Sequence, residues 1–277
     1  MNLLQVLQEL PAELRYETLL KLPFGEVIQQ CNQLPELRET CNSDYFWYRY
    51  TIGHMREHIS RAEFDNLPLD NKTKYLYYYV TRMNPLPSHE NSDVNSVVNV
   101  LINRLHLAIK VRSIPLYLYL YYQYRDNILS VKHTVPSNVF LPDLLLTVET
   151  NQLQFFLTLM ELFNINLTNY SALFTYATSH GAIDILRWII AHGYYAPTSN
   201  GLISLMNEIS NSKSIEVRDK NFRTFQYLLS EYIKHTGELT YTYLALLEKA
   251  RELRDPELIG YITDLMNYVE TLSQTLG

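Results

Sequence analysis

One pattern recurs along the second half of the chain and limits what it can fold into. Four segments each place apolar residues before a short polar turn, and a second apolar segment follows that turn. A small residue stands ahead of the turn at Ala108, Ala177 and Ala250, and Thr147 holds the matching position in the remaining segment. These positions are spaced by 39, 30 and 73 residues, and the last step covers two units. Because a two-helix unit cannot bury its apolar face alone, the pattern predicts a stack of antiparallel helix pairs.

A fifth, weaker copy lies between the last two of these segments. It carries a polar insertion at residues 211–220. Elsewhere in the repeats, Gly181 and Gly193 suit the positive φ that helix ends adopt. The apolar residues of the weak copy are Leu202, Leu205 and Ile209 in its first helix and Phe222, Phe225, Leu228 and Leu229 in its second.

The composition also favours helices. The chain has 8 glycines and 11 prolines among 277 residues, too few for a many-stranded sandwich or barrel, so we predict an all-α fold. Its net charge of −6 argues against a large phosphate-binding surface, and we expect no nucleic-acid partner. The longest apolar run, from Ile114 to Tyr122, is well short of the roughly 20 residues that a bilayer requires. We therefore expect no membrane partner.

Prolines and polar stretches divide the chain into segments. Three prolines interrupt the short helical patterns of the first fifty residues. A helix is predicted from Arg56 to Phe64, and a polar run with two prolines follows the next, tyrosine-rich segment. We predict three domains, namely an N-terminal module at residues 1–50, a helical connector and linker at 51–96, and the helical repeats at 97–277.

The N-terminal module resembles the F-box. The F-box pattern runs from Leu-Pro with an acidic and an apolar residue, through a helix ending near Leu-Pro and an apolar helix with a cysteine, to a tryptophan. The four parts appear here in that order within about 40 residues. They are Leu10–Leu14, Leu19–Pro23, the group Val27, Ile28 and Cys31, and Trp47. The segment Thr40–Trp47 is especially similar to F-box-like domains encoded by large DNA viruses of amoebae.

The repeats resemble degenerate ankyrin repeats. Ala177, Gly181, the run Asp184–Leu186 and Gly193 match an ankyrin repeat in order, and Leu105–Ala108 matches an ankyrin first helix. No unit carries the full Thr-Pro-Leu-His signature. The two resemblances together imply an F-box-like three-helix module followed by a stack of ankyrin-like antiparallel helix pairs.

This architecture implies a non-enzymatic adaptor that is viral and works on host proteins. An F-box docks on the adaptor subunit of a cullin–RING ubiquitin ligase, and the downstream repeats hold a protein substrate. We expect a location inside the cell, in the host cytoplasm, with the nucleus or the virion as alternatives. The residues that this resemblance assigns to the docking ridge are Leu10, Pro11, Leu14, Leu19, Leu22, Pro23, Val27, Ile28 and Trp47.

The same apolar residues allow a second interpretation. They carry more apolar surface than a 40-residue module can hide on its own, so the module needs either a partner or the rest of its own chain. In the second case residues 51–96 cover the ridge. The protein would then be a structural or scaffold protein, for example a virion component.

No combination of residues predicts catalysis or metal binding. His54 and His58 stand in an H-x-x-E-H pattern that would place them one helical turn apart, but no third zinc ligand follows. Cys31 lies on an apolar helical face, where a free cysteine acts as a small hydrophobe. With two cysteines and no disulfide framework, a reducing compartment is the simpler interpretation. We expect no catalytic residue, metal or cofactor.

Two tyrosine runs remain open to interpretation. They occupy residues 75–79 and 117–122. Tyrosine rings can pack in the core of a thin helical stack with the hydroxyl at its edge. They can also form a binding surface, because tyrosine is enriched at the energetic centres of protein interfaces.

Overall fold

The computed structural model of the chain describes residues 3–55, 58–87, 94–132, 140–166, 171–236 and 239–276. Within these ranges it contains seventeen α-helices and one short 3₁₀ helix, with no strand. The predicted all-α fold is therefore confirmed. The chain forms two compact units, Met1–Thr134 and Val135–Gly277. The predicted domain boundaries after residues 50 and 96 both fall inside the first unit and remain predictions.

The first unit consists of nine described α-helices and the 3₁₀ helix η1. Their bounds are α1 Leu3–Glu9, α2 Ala12–Leu19, α3 Phe24–Gln33, η1 Pro35–Leu37, α4 Arg38–Asn42, α5 Asp44–Met55, α6 Arg61–Asn66, α7 Asn71–Met83, α8 Val94–Lys110 and α9 Ile114–Lys132.

Local sequence explains most of these boundaries. Pro11 and Pro23 stand in extended conformation directly before α2 and α3, where their fixed φ and missing N–H cost nothing. Ser60 and Glu63 form a reciprocal capping box at the start of α6, so this helix begins at Arg61. The helix predicted from Arg56 is wrong at its start, because residues 58–60 are not helical and residues 56 and 57 lie outside the described ranges.

Aromatic side chains form the core of the first unit. Helix α5 packs on α7, and the pair α8 and α9 packs on α7 as well. Phe46, Trp47 and Tyr50 of α5 are fully buried, and Tyr75 of α7 is buried beside them. Tyr50 and Tyr75 meet edge to face with ring centroids 5.0 Å apart. Among the residues of the two tyrosine runs, Tyr75, Tyr117 and Tyr121 lie in the core, whereas Tyr122 is exposed.

The described residues of the second unit form eight α-helices arranged as four pairs. Their first helices contact one another in a continuous column, and the second helices of the first three pairs do the same. The bounds are α10 Leu141–Glu149, α11 Leu153–Leu162, α12 Ser171–Ser179, α13 Ile183–Ala191, α14 Ser199–Asn211, α15 Ile215–Thr236, α16 Leu239–Leu253 and α17 Pro256–Leu276.

One turn joins the two helices of a pair, and it recurs at the predicted positions. Arg112, Asn151, Gly181 and Arg254 all have positive φ, between 48° and 58°. In each case the next backbone N–H donates to a carbonyl five residues earlier, which is the Schellman arrangement. Those carbonyls belong to the four matched residues that precede the polar turns, and each of these is fully buried: Ala108, Thr147, Ala177 and Ala250.

The pair α14 and α15 departs from this turn. The link between its helices, at residues 212–214, contains no positive φ. Most of the predicted polar insertion is helical, since α15 begins at Ile215 and is 22 residues long. From this extension Arg218 reaches Asp255 with two hydrogen bonds of 2.9 Å, and it also donates to Glu257 and to the Ile209 carbonyl. The insertion thus connects two neighbouring helix pairs.

Candidate functional site

The predicted docking ridge separates into a buried set and a surface set. Leu19, Val27 and Trp47 are fully buried within the first unit. Leu14 is 52% exposed. Pro11 and Pro23 are exposed, whereas Leu10, Leu22 and Ile28 are half-buried. The structure therefore places about a third of the ridge in the core and leaves the remainder wholly or partly accessible.

The buried part of the ridge holds the N-terminal module together. The Trp47 indole N–H donates to the Cys41 carbonyl at 2.7 Å, so α5 is fastened to α4. The Trp47 ring also packs against Phe24 and Phe46, with centroids 6.0 and 5.2 Å away. Trp47 is therefore a structural residue, and it is not available as a contact for a partner.

Helix α7 of the predicted connector covers one side of the module. Phe24, at the start of α3, stacks on Tyr75 of α7 with centroids 4.9 Å apart. Within the module, Tyr50 of α5 donates its hydroxyl hydrogen to the Leu22 carbonyl at 2.7 Å. These contacts explain why the ridge near Leu22 and Phe24 is only partly accessible.

Two residues on α5 extend the exposed surface and were not identified from the sequence. Tyr45 is 55% exposed, and the Arg49 guanidinium lies 5.9 Å from the centre of its ring and donates to its hydroxyl at 3.2 Å. Helix α2 adjoins this pair, because Tyr16 packs on Phe46 of α5 with ring centroids 5.6 Å apart. Burial raises the pKa of Tyr16, and the Arg49 guanidinium opposes this rise. The i, i+4 spacing of a tyrosine and an arginine was the available sequence signal.

The two cysteines are not free thiols. Cys31 of α3 and Cys41 of α4 form a disulfide, with Cα atoms 5.9 Å apart. The expectation that Cys31 is a free small hydrophobe is wrong. The physical reason is the break at Pro35, where the short helix η1 turns the chain and contacts both α3 and α4, so that Cys41 comes within disulfide distance of Cys31.

The two histidines of the H-x-x-E-H pattern do not share a helix in the described residues. Helix α5 ends at Met55, and His58 is exposed and non-helical. The ring of His54 packs on Tyr50 with centroids 4.0 Å apart, and burial lowers the pKa of His54. Within the described ranges no group of three or more histidine, cysteine, aspartate or glutamate side chains is placed to hold a metal ion.

The second unit has an aromatic surface of its own. The Trp188 ring stacks with His192 and Tyr194, at centroid distances of 4.3 and 5.6 Å. It borders a shallow depression of about 470 Å³ between α11 and α13, whose rim includes Arg187 and Asp184. Stacked aromatic rings beside charged groups are typical of protein-binding surfaces.

No family model, curated protein or solved structure matches this chain. Its function is therefore inferred from its own residues. Among the described helices, none combines the length and the apolar character that a crossing of the bilayer demands.

Proposed function

We propose that this protein is a non-enzymatic adaptor that links two other proteins. Its N-terminal module docks on the adaptor subunit of a cullin–RING ubiquitin ligase, and its helix pairs bind the protein to be modified. The resemblance of residues 10–47 to the F-box supports the identity of the first partner.

The observation that carries this proposal is the exposed apolar surface on a module whose core is already complete. Leu14 is more than half exposed although Leu19, Val27 and Trp47, on the same module, are fully buried. Burying a leucine side chain stabilises a complex by about 1.5–3 kcal/mol. Leu14 and the half-buried Leu10 and Ile28 therefore offer a partner apolar contact that the module does not use itself.

The helix pairs supply a second surface. Stacked pairs form an extended face on which neighbouring units contribute contacts to one partner. On α13 the Trp188 stack lies beside Arg187 and Asp184, which form an ion pair at 3.7 Å. An aromatic centre with a charged rim is the composition expected of a protein-binding site.

A second function has its own support. Phe24, which follows the ridge residue Pro23, stacks on Tyr75 of the connector, so the module packs on the connector of the same chain. This contact favours a structural or scaffold protein in which the F-box-like segment is one part of a larger fold.

The two functions are separated by the binding of Leu14→Asp to the cullin adaptor subunit. We expect the wild-type chain to bind the purified subunit and Leu14→Asp to lose about 100-fold or more in affinity. The reason is that an unpaired carboxylate buried in an apolar interface costs several kcal/mol. Leu14 is exposed in the free protein, so the variant keeps its helical circular dichroism.

Leu244→Asp is the matched control. Leu244 lies on α16 of the second unit and is 50% exposed. We expect this variant to bind the subunit as the wild type does. If the wild-type chain does not bind, or if both variants bind equally well, the adaptor function is wrong and the scaffold function stands.

A further inference from the structure

A half-open cavity of about 380 Å³ lies in the first unit between α3, α5, α7 and the turn that follows α8. Four aromatic rings line it, from Phe24, Tyr50, Tyr75 and Tyr79. Phe24 and Tyr75 stack nearly parallel, at an interplanar angle of 15°, and Tyr50 meets Tyr75 edge to face. Small-molecule sites in proteins are concave, mostly apolar and of about 300–1,000 Å³, so both size and lining fit a ligand site.

The described lining carries no charge at neutral pH. Besides the four rings it includes aliphatic Leu76 and Val111, and His54 as a titratable group. Burial lowers the pKa of His54 and raises the pKa of Tyr50 and Tyr75, so the imidazole stays neutral and both hydroxyls stay protonated. An ion in such surroundings would lose its hydration without gaining a partner. The cavity therefore favours an uncharged molecule.

Tyr50, Tyr75 and His54 bring hydrogen-bonding groups to this cavity. Tyr50 donates its only hydroxyl hydrogen to the Leu22 carbonyl. Burial, and after it the neighbouring Tyr75 hydroxyl, raise the pKa of Tyr50. The Tyr75 oxygen keeps its lone pairs, and the buried Nδ1 of His54 has no partner among the described residues. A ligand with an O–H or N–H group can donate to the Tyr75 oxygen.

We propose that this cavity binds a small uncharged aromatic molecule that carries one O–H or N–H donor. A flat ring packs in the cavity against the tyrosine and phenylalanine rings, and its donor bonds the Tyr75 oxygen. This site goes beyond the adaptor function and does not depend on it.

Calorimetric titration of the full chain with phenol tests the proposal. We expect saturable binding of phenol, and no binding of benzoate, which has the same ring but a negative charge. Val111→Phe places a ring in the cavity and should weaken phenol binding about tenfold or more. Val217→Phe is the control, because Val217 lies on the exposed surface of the second unit. Absence of saturable phenol binding, equal binding by both variants, or benzoate binding as tight as phenol binding would overturn the proposal.

A second variant removes the hydrogen bond without filling the cavity. Tyr75→Phe keeps the ring and the packing but deletes the hydroxyl. We expect it to lower the affinity for phenol about tenfold and to leave the affinity for toluene unchanged, because toluene has no donor. If Tyr75→Phe changes both affinities equally, the assignment of a donor-bearing ligand is wrong. This comparison remains decisive if Val111→Phe does not fold.

Discussion

Gly181 and Gly193 both adopt a left-handed backbone, with φ of 58° and 70°, but their surroundings differ. A Cβ on Gly181 would lie 2.7 Å from the Asn221 side-chain oxygen, whereas a Cβ on Gly193 would meet nothing within 4 Å. Asn221 belongs to α15 and is buried, so it cannot easily move away. Glycine is thus favoured at Gly181 by both backbone and packing, and at Gly193 by the backbone alone.

Replacing each glycine by alanine separates the two effects. We expect Gly193→Ala to lower the free energy of unfolding by about 1 kcal/mol, the cost of a left-handed alanine. Gly181→Ala should lower it by about 2 kcal/mol or more, because the packing against Asn221 is disturbed as well. Urea denaturation of both variants measures the difference. Equal losses would show that the contact with α15 contributes nothing.

The Asp255 carboxylate makes stability depend on pH. Burial alone would raise its pKa, but hydrogen bonds from Arg218, the Leu258 amide and Ser210 outweigh it and keep the pKa below its ordinary value of 3.8. The unfolded chain therefore takes up the proton more readily than the folded chain. The stabilisation from Asp255 is complete above the unfolded pKa, and it is lost as pH falls through the folded pKa.

Asp255→Asn tests this pH dependence. At pH 7 we expect it to lower the free energy of unfolding by about 2–4 kcal/mol, because Arg218 loses its buried counter-charge. Below about pH 4 the difference from the wild type should shrink, as the wild-type carboxylate is protonated too. Asp264→Asn, on an exposed position of α17, is the control and should show no such trend. A difference that stays constant from pH 7 to pH 3 would contradict the assignment.

At the scale of elements, the turn between paired helices tolerates different residues at its left-handed position. Arginine occupies it at Arg112 and Arg254, asparagine at Asn151 and glycine at Gly181. Only at Gly181 does a second helix leave no room for a side chain. The Schellman hydrogen bonds, and not a preferred residue, define this turn.

Arg254→Gly should therefore stabilise the protein. Arg254 is exposed, and glycine removes the strain of a left-handed backbone but gives the unfolded chain more conformational freedom. We expect the free energy of unfolding to rise by about 0.5 kcal/mol. Arg251→Gly, three residues earlier within α16, should instead lose about 1 kcal/mol of helix propensity. Thermal unfolding of both variants checks the signs. Destabilisation by both would mean that Arg254 makes contacts that outweigh its backbone strain.

Some of these elements and contacts were predictable from the sequence, and others were not. The turns and their buried small residues were predictable, because apolar spacing and turn chemistry are local. The disulfide between Cys31 and Cys41 depends on how Pro35 redirects the chain, which spacing does not show. The sequence also could not predict that Leu19 and Val27 are buried whereas Leu14 is exposed. An amphipathic pattern identifies the apolar face of a helix but not what covers it.

At the scale of the whole molecule, the two compact units each have a core of their own. The second unit buries residues from every one of its four helix pairs, among them Leu144, Phe156, Leu186, Leu205 and Ile262. Arg218, on the other hand, bonds Asp255 across 37 residues, a contact that no local pattern predicts.

The second unit should fold in isolation. We expect residues 135–277, expressed alone, to give a helical circular dichroism spectrum and a cooperative thermal transition, since a compact unit with its own apolar core is an independent folding domain. A chain that lacks a transition, or that has the spectrum of a coil, would show that the first unit is needed for folding.

The Arg218–Asp255 bridge also has a mechanical consequence. In a linear stack each helix pair holds only its neighbours, so a force applied to the two ends would peel pairs away one after another. Arg218 on α15 donates hydrogen bonds to Asp255 and Glu257 at the start of α17, and these bonds hold the last two helix pairs together. When the second unit is stretched in an optical trap, we expect α14–α17 to unfold together in one step.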